Sequence, residues 1–399
     1  MVPLAPGILS VYNKWKERWH NKLSKEEYAM KKYLIALVLV LALCCLAAAA
    51  GAEIIHYDPG HTTHSFSGNT CTVCGWMQPG FYMGDEMVLS WDDLKSMGYV
   101  EVLDNGTLSK VVGNLEGKLV IGEDVTRVDG NMYPLFADTP LQEVWIPRTV
   151  TELGRYLTAR TSIRVVRLYC PVTKLEDNAF DESLSKPACL ETVWLPDTLT
   201  EIGNSAFDEC TALKRLDLPD SVEKLGSRFL YNTYLTQINL PPRLRDVSSA
   251  FYSCSLDSIV LPASVEKMNG QAFSYCDARV IDLSQTQITQ LPDQCFQYCK
   301  KLETLVLPAH LESFGWACFA DNYALKRLVL PDGFSSLGNS WLSVEEIVWP
   351  VSLIDVNSQS PENLKTIYYR GSENQWKLNG ANSKLDLSGV TVICNYTGN

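Results

Sequence analysis

Leu190 to Ala212 reads LETVWLPDTLTEIGNSAFDECTA, and the chain keeps returning to that phrase. LKRLDLPDSVEKLGSRFLYNTY follows at once from Leu213. LDSIVLPASVEKMNGQAFSYCDA from Leu256 and LETLVLPAHLESFGWACFADNYA from Leu302 repeat it further on. The shared frame is L-x-x-I-x-L-P, two or three residues, V/L-x-x-L/I/M/F-G, then often Ala-Phe and a Cys or Asn. Self-similarity at a period of roughly 20 to 25 residues makes a solenoid, because one such unit can bury its apolar side only against its neighbours.

Within one repeat the first half has the period of a strand. Leu190, Val193 and Leu195 point inward while Thr192 and Trp194 point out. Pro196 ends the ladder because it has no N–H to give. Leu199 and Ile202 cover the next edge, Gly203 suits a sharp bend with positive φ, and Ala206 and Phe207 are expected on one short helical turn. Cys210, Cys254, Cys276 and Cys299 each fall three residues after a Phe, with Asn232 and Asn322 in their place elsewhere. Small polar groups in that column are expected to be buried and to bond turn backbone. A redox or metal column is the alternative.

These copies resemble the BspA-like leucine-rich repeat (LRR) family, whose units read close to L-x-x-I-x-L-P-x-S-V-x-x-I-G-x-x-A-F-x-x-C. The resemblance runs from about Leu119 to Ile393. It implies a leucine-rich-repeat solenoid of the β-rich, α/β class, with a parallel β-sheet on one face, short helical turns and about 11–12 repeats. It also implies adhesion as the function. The repeat from Leu141 lacks Ala-Phe, and the one from Ile163 is lengthened by SLSKPAC. Those turns are expected to bulge, and their loops are candidate partner contacts.

The expected organisation starts with residues 1–29, an over-extended or cytoplasmic segment carrying the basic stretch NKWKERWHNKLSKEE. Residues 30–52 have a charged start, an apolar run from Tyr33 to Ala50 and the exit Ala50-Gly51-Ala52, the parts of a signal peptide cut before Glu53. A signal anchor is the alternative, since about 18 apolar residues can just span a bilayer. Either way the repeats are exported, placing the protein in the secreted or cell-surface class, with membrane contact only through an uncleaved N-terminal segment. Residues 1–52 hold seven of the 34 basic and three of the 46 acidic residues, leaving 27 against 43. That acidic surface argues against nucleic acid and anionic lipid as partners.

Residues 53–75 form a His/Cys-rich segment. His61-x2-His64 and Cys71-x2-Cys74, followed by Gly75, could supply four ligands to a structural tetrahedral zinc, although nothing in the sequence requires a cofactor. A Cys71–Cys74 disulfide or two thiols in a stalk are the alternatives. A catalytic zinc is disfavoured because no Glu base sits on a helix beside the His pair. Residues 76–115 are expected to cap the first rung with a short helix and a hairpin at Asp104-Asn105-Gly106, ahead of repeats in 116–369. Residues 370–399 are expected to cap the last, with Trp376 over the final coil.

The repeats carry one histidine, His310, and no nucleophile elbow, zincin or phosphate-loop motif. Asp181-Glu182 and Asp208-Glu209 are expected as solvated loop charges. The chain spreads like residues along columns rather than gathering unlike ones at a point, and reads as non-enzymatic. Its candidate ligand face is the outward strand column, which includes Trp145, Arg167, Trp194, Asp217, Val306, Val329, Val348 and Tyr368. Rungs of a parallel sheet lie about 4.8 Å apart, so Trp145 and Trp194 would sit about 10 Å apart with Arg167 between them. The expected partner is an extracellular or host protein, with a glycan stacked on the two indoles as the alternative.

Overall fold

The computed structural model describes residues 64–72, 74–129, 134–185, 187–356, 363–379 and 384–398. The N-terminal basic stretch, the apolar run, the expected cleavage site and His61 lie outside them. Among the described residues no helix is long and apolar enough to cross a membrane.

The alternating apolar residues form the expected rungs of a parallel β-solenoid. The largest sheet has seven strands in the spatial order Glu86–Ser90, Gly80–Met83, Lys118–Val120, Glu143–Ile146, Val165–Leu168, Thr192–Trp194 and Arg215–Leu216. From Lys118–Val120 onward every pairing in it is parallel, in a register that aligns Trp145, Arg167 and Trp194 side by side. Residues 237–239, where the next rung is expected, form no ladder. The sheet resumes with Ser258–Val260, Val280–Asp282 and Thr304–Val306, and again from Arg327–Val329 through Glu346–Trp349 and Thr366–Tyr369 to Thr391–Ile393. Shorter two-residue strands such as Lys174–Leu175, Glu201–Ile202 and Lys224–Leu225 form a second, narrower ladder.

The interior is a column of aromatic rings. Phe180, Phe207, Phe251, Phe273, Phe296 and Phe319 are all fully buried. Phe180 stacks on Phe207 at 5.3 Å, and Phe251, Phe273, Phe296 and Phe319 follow at 5.3, 5.2 and 5.5 Å. Within each of these two runs successive coils put one ring at the same place, so the rings touch face to face, with the offset their quadrupoles favour; in the coil between the runs Phe229 meets Phe251 edge-on at 6.2 Å.

Two expectations about the turns need correction. Ala206 and Phe207 lie on no helix; Ser205 and Glu209, on either side, have φ of 51° and 54°. The chain turns through left-handed residues instead, which aims each turn's amides at the next coil: Phe207 N–H reaches Phe229 O at 3.0 Å and Glu209 N–H reaches Tyr231 O at 2.9 Å. Gly203 does not have positive φ. It is small because the preceding coil is close: a Cβ there would lie 2.6 Å from Asp177 N, and one at Gly226 would lie 2.5 Å from Asn204 N. No real Cβ approaches backbone so closely, so these glycines set the coil spacing.

The cysteine column is buried, and three of its members donate to backbone, whereas Cys254 and Cys276 meet each other, Sγ to Sγ at 3.1 Å. Cys210 Sγ donates to Phe180 O at 3.0 Å, Cys299 Sγ to Phe273 O at 2.8 Å, and Asn322 Nδ2 to Phe296 O at 2.6 Å. Burial pushes the Cys210, Cys254 and Cys299 thiols well above their ordinary range, which suppresses the reactive thiolate. None of the eleven cysteines among the described residues is in a disulfide. Asn232 is a correction: it sits one position early, at φ 51°, and the fully buried Thr233 takes the column, its hydroxyl donating to Leu230 O.

Both ends are covered. The helix Trp91–Ser96 starts at a Ser90 capping box with Asp93. The hairpin Val100–Val102 to Thr107–Val111 turns at Gly106, where φ is 78°. At the far end the helix Glu373–Leu378 brings Trp376 to 5.0 Å from Tyr369 and 5.9 Å from Trp349.

Candidate functional site

The outward strand column is present, but it is open only in its middle. Trp145 is 7% exposed, because residues 66–77 fold back across it. This strap forms a hairpin, Phe66–Ser67 with Thr70–Cys71, and lays Trp76 against Trp145 at 6.1 Å and against Tyr169 at 5.0 Å. Trp76, Met77, Tyr82, Val120, Trp145 and Cys71 form a second apolar core outside the coil. An open Trp145 is therefore overturned: the outward face of the first rungs is itself an interior. Val348 is fully buried as well, and Tyr368 is half-buried against Tyr396 at 4.7 Å, with the Arg327 guanidinium 4.8 Å from its ring.

Between these covers lie Trp194, Asp217, Val306 and Val329, all half-buried, together with Asn239, which is exposed. Arg167 marks the boundary. Its guanidinium sits 3.5 Å from the Trp194 ring centroid and 5.0 Å from that of Trp145, and its Nε donates to Glu143 Oε1 at 2.8 Å. A cation held between two indoles and anchored by a carboxylate is rigid, and it leaves Trp194 as the first aromatic side chain that an incoming surface meets. Asp217 is paired with Arg215 Nε at 2.7 Å.

The strap also carries the metal-type residues. His64, Cys71 and Cys74 bring one ligand atom each within 4.8 Å of one another, on a hairpin and a tight loop in which Gly75 N–H bonds Cys71 O at 3.0 Å. His61, the fourth expected ligand, lies outside the described residues.

Two features were not legible as sites. Tyr231, Tyr252, Tyr275 and Tyr298 form an outer ladder with ring separations of 5.9, 5.6 and 4.7 Å, and Arg228 lies over Tyr231 at 4.0 Å. Its signal was Tyr one or two positions before the column residue, as in Tyr275-Cys276 and Tyr252-Ser253-Cys254. The second is Glu182, expected to be solvated but fully buried beside Asp181 and accepting from the amides of Cys189 and Leu190. It closes the lengthened SLSKPAC loop from inside.

Burial pushes Glu182 up to about 7 and, with the neighbouring Asp181 charge, pushes Asp208 up to about 6. An unfolded Glu releases its proton near its ordinary 4.5, so between there and about pH 7 the native state holds more protons. Stability should thus fall as pH rises through that window, by on the order of 3 kcal/mol from Glu182 at most. Glu182→Gln keeps an acceptor for the two amides and should flatten the fall. Urea unfolding at pH 5 and pH 8 measures it, and an unchanged slope would show that Glu182 titrates normally.

The sequence profile of the family described as "BspA type Leucine rich repeat region" matches residues 118–187, 183–249 and 247–347, in six copies. That is more than half of the chain, and the protein belongs to this family. Among solved structures, a leucine rich cell surface protein from Faecalibacterium prausnitzii is 18% identical over 72% of this chain and 96% of its own, with a TM-score of 0.35. A leucine-rich repeat protein from Bacteroides ovatus is 19% identical over 74% and 75%, with a TM-score of 0.42. The pneumococcal vaccine antigen PcpA is 17% identical over 82% and 95%, with a TM-score of 0.37. No match is found among curated proteins.

Proposed function

We propose that this is an exported, surface-associated repeat protein that binds proteins of host or neighbouring cells through the open part of its strand face, without chemistry of its own. The observation that carries the reading is the rigid Arg167–Trp194 stack at the edge of that opening, followed by the half-buried Asp217, Val306 and Val329. An aromatic anchor beside an Arg, with polar and apolar surface beyond it, is the composition that protein interfaces favour at their energetic centre. Family membership and the acidic composition of residues 53–399 agree with it. Retention on the cell through an uncleaved N-terminal segment, or release after cleavage before Glu53, are both compatible with this reading.

Glycan capture is less well supported. It needs two free ring faces, whereas Trp145 is buried and Arg167 covers one face of Trp194. The test is a binding screen of the exported chain against matrix proteins and glycans, with hydrolysis of each followed in parallel. The expected result is capture of a protein, weakened on the order of 30-fold by Trp194→Ala, which is about 2 kcal/mol. Glycan binding that survives in Trp194→Ala, or turnover of any substrate, would overturn it.

A further inference from the structure

We infer that His64, Cys71 and Cys74 bind one zinc-like divalent cation, and that this ion fastens the strap of residues 64–77 over the first rungs of the strand face. One ligand pair is already spaced for it, with the third ligand close by. With Zn–S of about 2.3 Å and Zn–N of about 2.0–2.1 Å at tetrahedral angles, a nitrogen and a sulfur on one zinc lie about 3.6 Å apart. His64 Nδ1 and Cys74 Sγ are 3.5 Å apart, and Cys71 Sγ lies in the same cluster. The loop has the shape such a site uses. Cys71 N–H bonds Trp76 O at 2.6 Å, and Gly75 turns at φ 73°.

The outer partners fit too. His64 Nε2 lies 2.8 Å from Glu123 Oε1, so the nitrogen facing away from the sulfurs has a carboxylate to receive its proton. Once Arg148 leaves Nε2, that pairing sets the tautomer in which Nδ1 is the ligating nitrogen. Arg148 is an obligate donor and reaches both ring nitrogens, at 3.2 Å from Nδ1, so a cation at Nδ1 must displace it. Glu123 is placed to take it, with Oε1 3.7 Å from Arg148 Nε. A divalent cation with two thiolates and a neutral imidazole carries no net charge, so Arg148 meets no repulsion there. Binding releases the two thiol protons to solvent, which balances the charge. The fourth position falls to water or to a further donor.

The consequence is mechanical. The strap has one two-residue hairpin and little regular structure of its own, yet it supplies Trp76 and Met77 to the core over Trp145. Two sulfur bonds and one nitrogen bond would tie its two arms together directly beside that core. The test uses the full-length chain purified under reducing conditions, with metal content and Co²⁺ absorption as readouts, and chymotrypsin cleavage at Phe66 or Trp76 reporting the strap. One equivalent of Zn²⁺ or Co²⁺ is expected, with thiolate charge-transfer bands that vanish in Cys71→Ser and Cys74→Ser and persist in Cys189→Ser. Glu123→Gln should weaken binding roughly 10- to 100-fold. Chelation should open the strap to cleavage while the far-ultraviolet signal of the solenoid stays unchanged. A Cys71–Cys74 disulfide in a parallel preparation made without reductant, less than one equivalent of metal, or an unaltered Co²⁺ spectrum in Cys74→Ser would each overturn the assignment.

Discussion

Phe207→Ala should cost the fold about 3–5 kcal/mol, the range for removing a fully buried aromatic ring. The ring is inaccessible to solvent and stacks on Phe180 at 5.3 Å, so its loss removes apolar contact in its own coil and in the one before. The coils on either side are pinned by backbone bonds such as Phe180 N–H to Ala206 O and Phe207 N–H to Phe229 O, so the space cannot close by local collapse. In a solenoid each coil is stabilised by its neighbours, and the deficit spreads along the stack rather than staying in one unit. Urea unfolding should show an earlier midpoint, whereas Tyr234→Ala, at a side chain 70% exposed, should stay within about 0.5 kcal/mol. A Phe207→Ala protein as stable as the parent would mean that the Phe column is not the continuous core.

The inner half of each repeat was legible because its physics is local. Val193 and Leu195 are buried and Thr192 and Trp194 are not, as an alternation of two requires. The column cysteines were legible for the same reason, since a fixed distance from Phe fixes their depth. What escaped depends on residues distant in sequence. Nothing in the context of Trp145 says that Trp76 will return to cover it, because the cover comes from 69 positions away and only the fold brings it there. Gly203 was assigned a positive φ when its constraint is the backbone of Asp177 in the coil before. Glu182 looked like a solvated loop charge, and its burial follows from the inserted SLSKPAC segment, where the amides of Cys189 at its end and of Leu190 just after it need an acceptor inside. Of the proposed site, the equivalence of Trp145, Arg167 and Trp194 was readable from register alone; which of them solvent reaches was not.

The clearest separation of those two tryptophans is their expected response to truncation. Trp145→Ala should melt early, by about 3–5 kcal/mol where the strap and the first rungs unfold together, since the ring is 7% exposed and packs on Trp76 and Tyr169. Its loss leaves Trp76 facing a void and gives the Arg167 guanidinium one aromatic neighbour instead of two. Chymotrypsin should then cut the strap at Phe66 or Trp76 in the otherwise folded protein. Trp194→Ala should behave differently, because that ring is half-buried and belongs to neither apolar core. It loses one cation–π contact, on the order of 1 kcal/mol, and keeps the strap protected. Thermal melts of the two single variants, each followed by limited proteolysis, distinguish the outcomes. Equal melting temperatures with the strap cut equally fast in the parent and in both variants would mean that residues 66–77 do not rest on the sheet in solution, and the strand face would then be open from Trp145 onward.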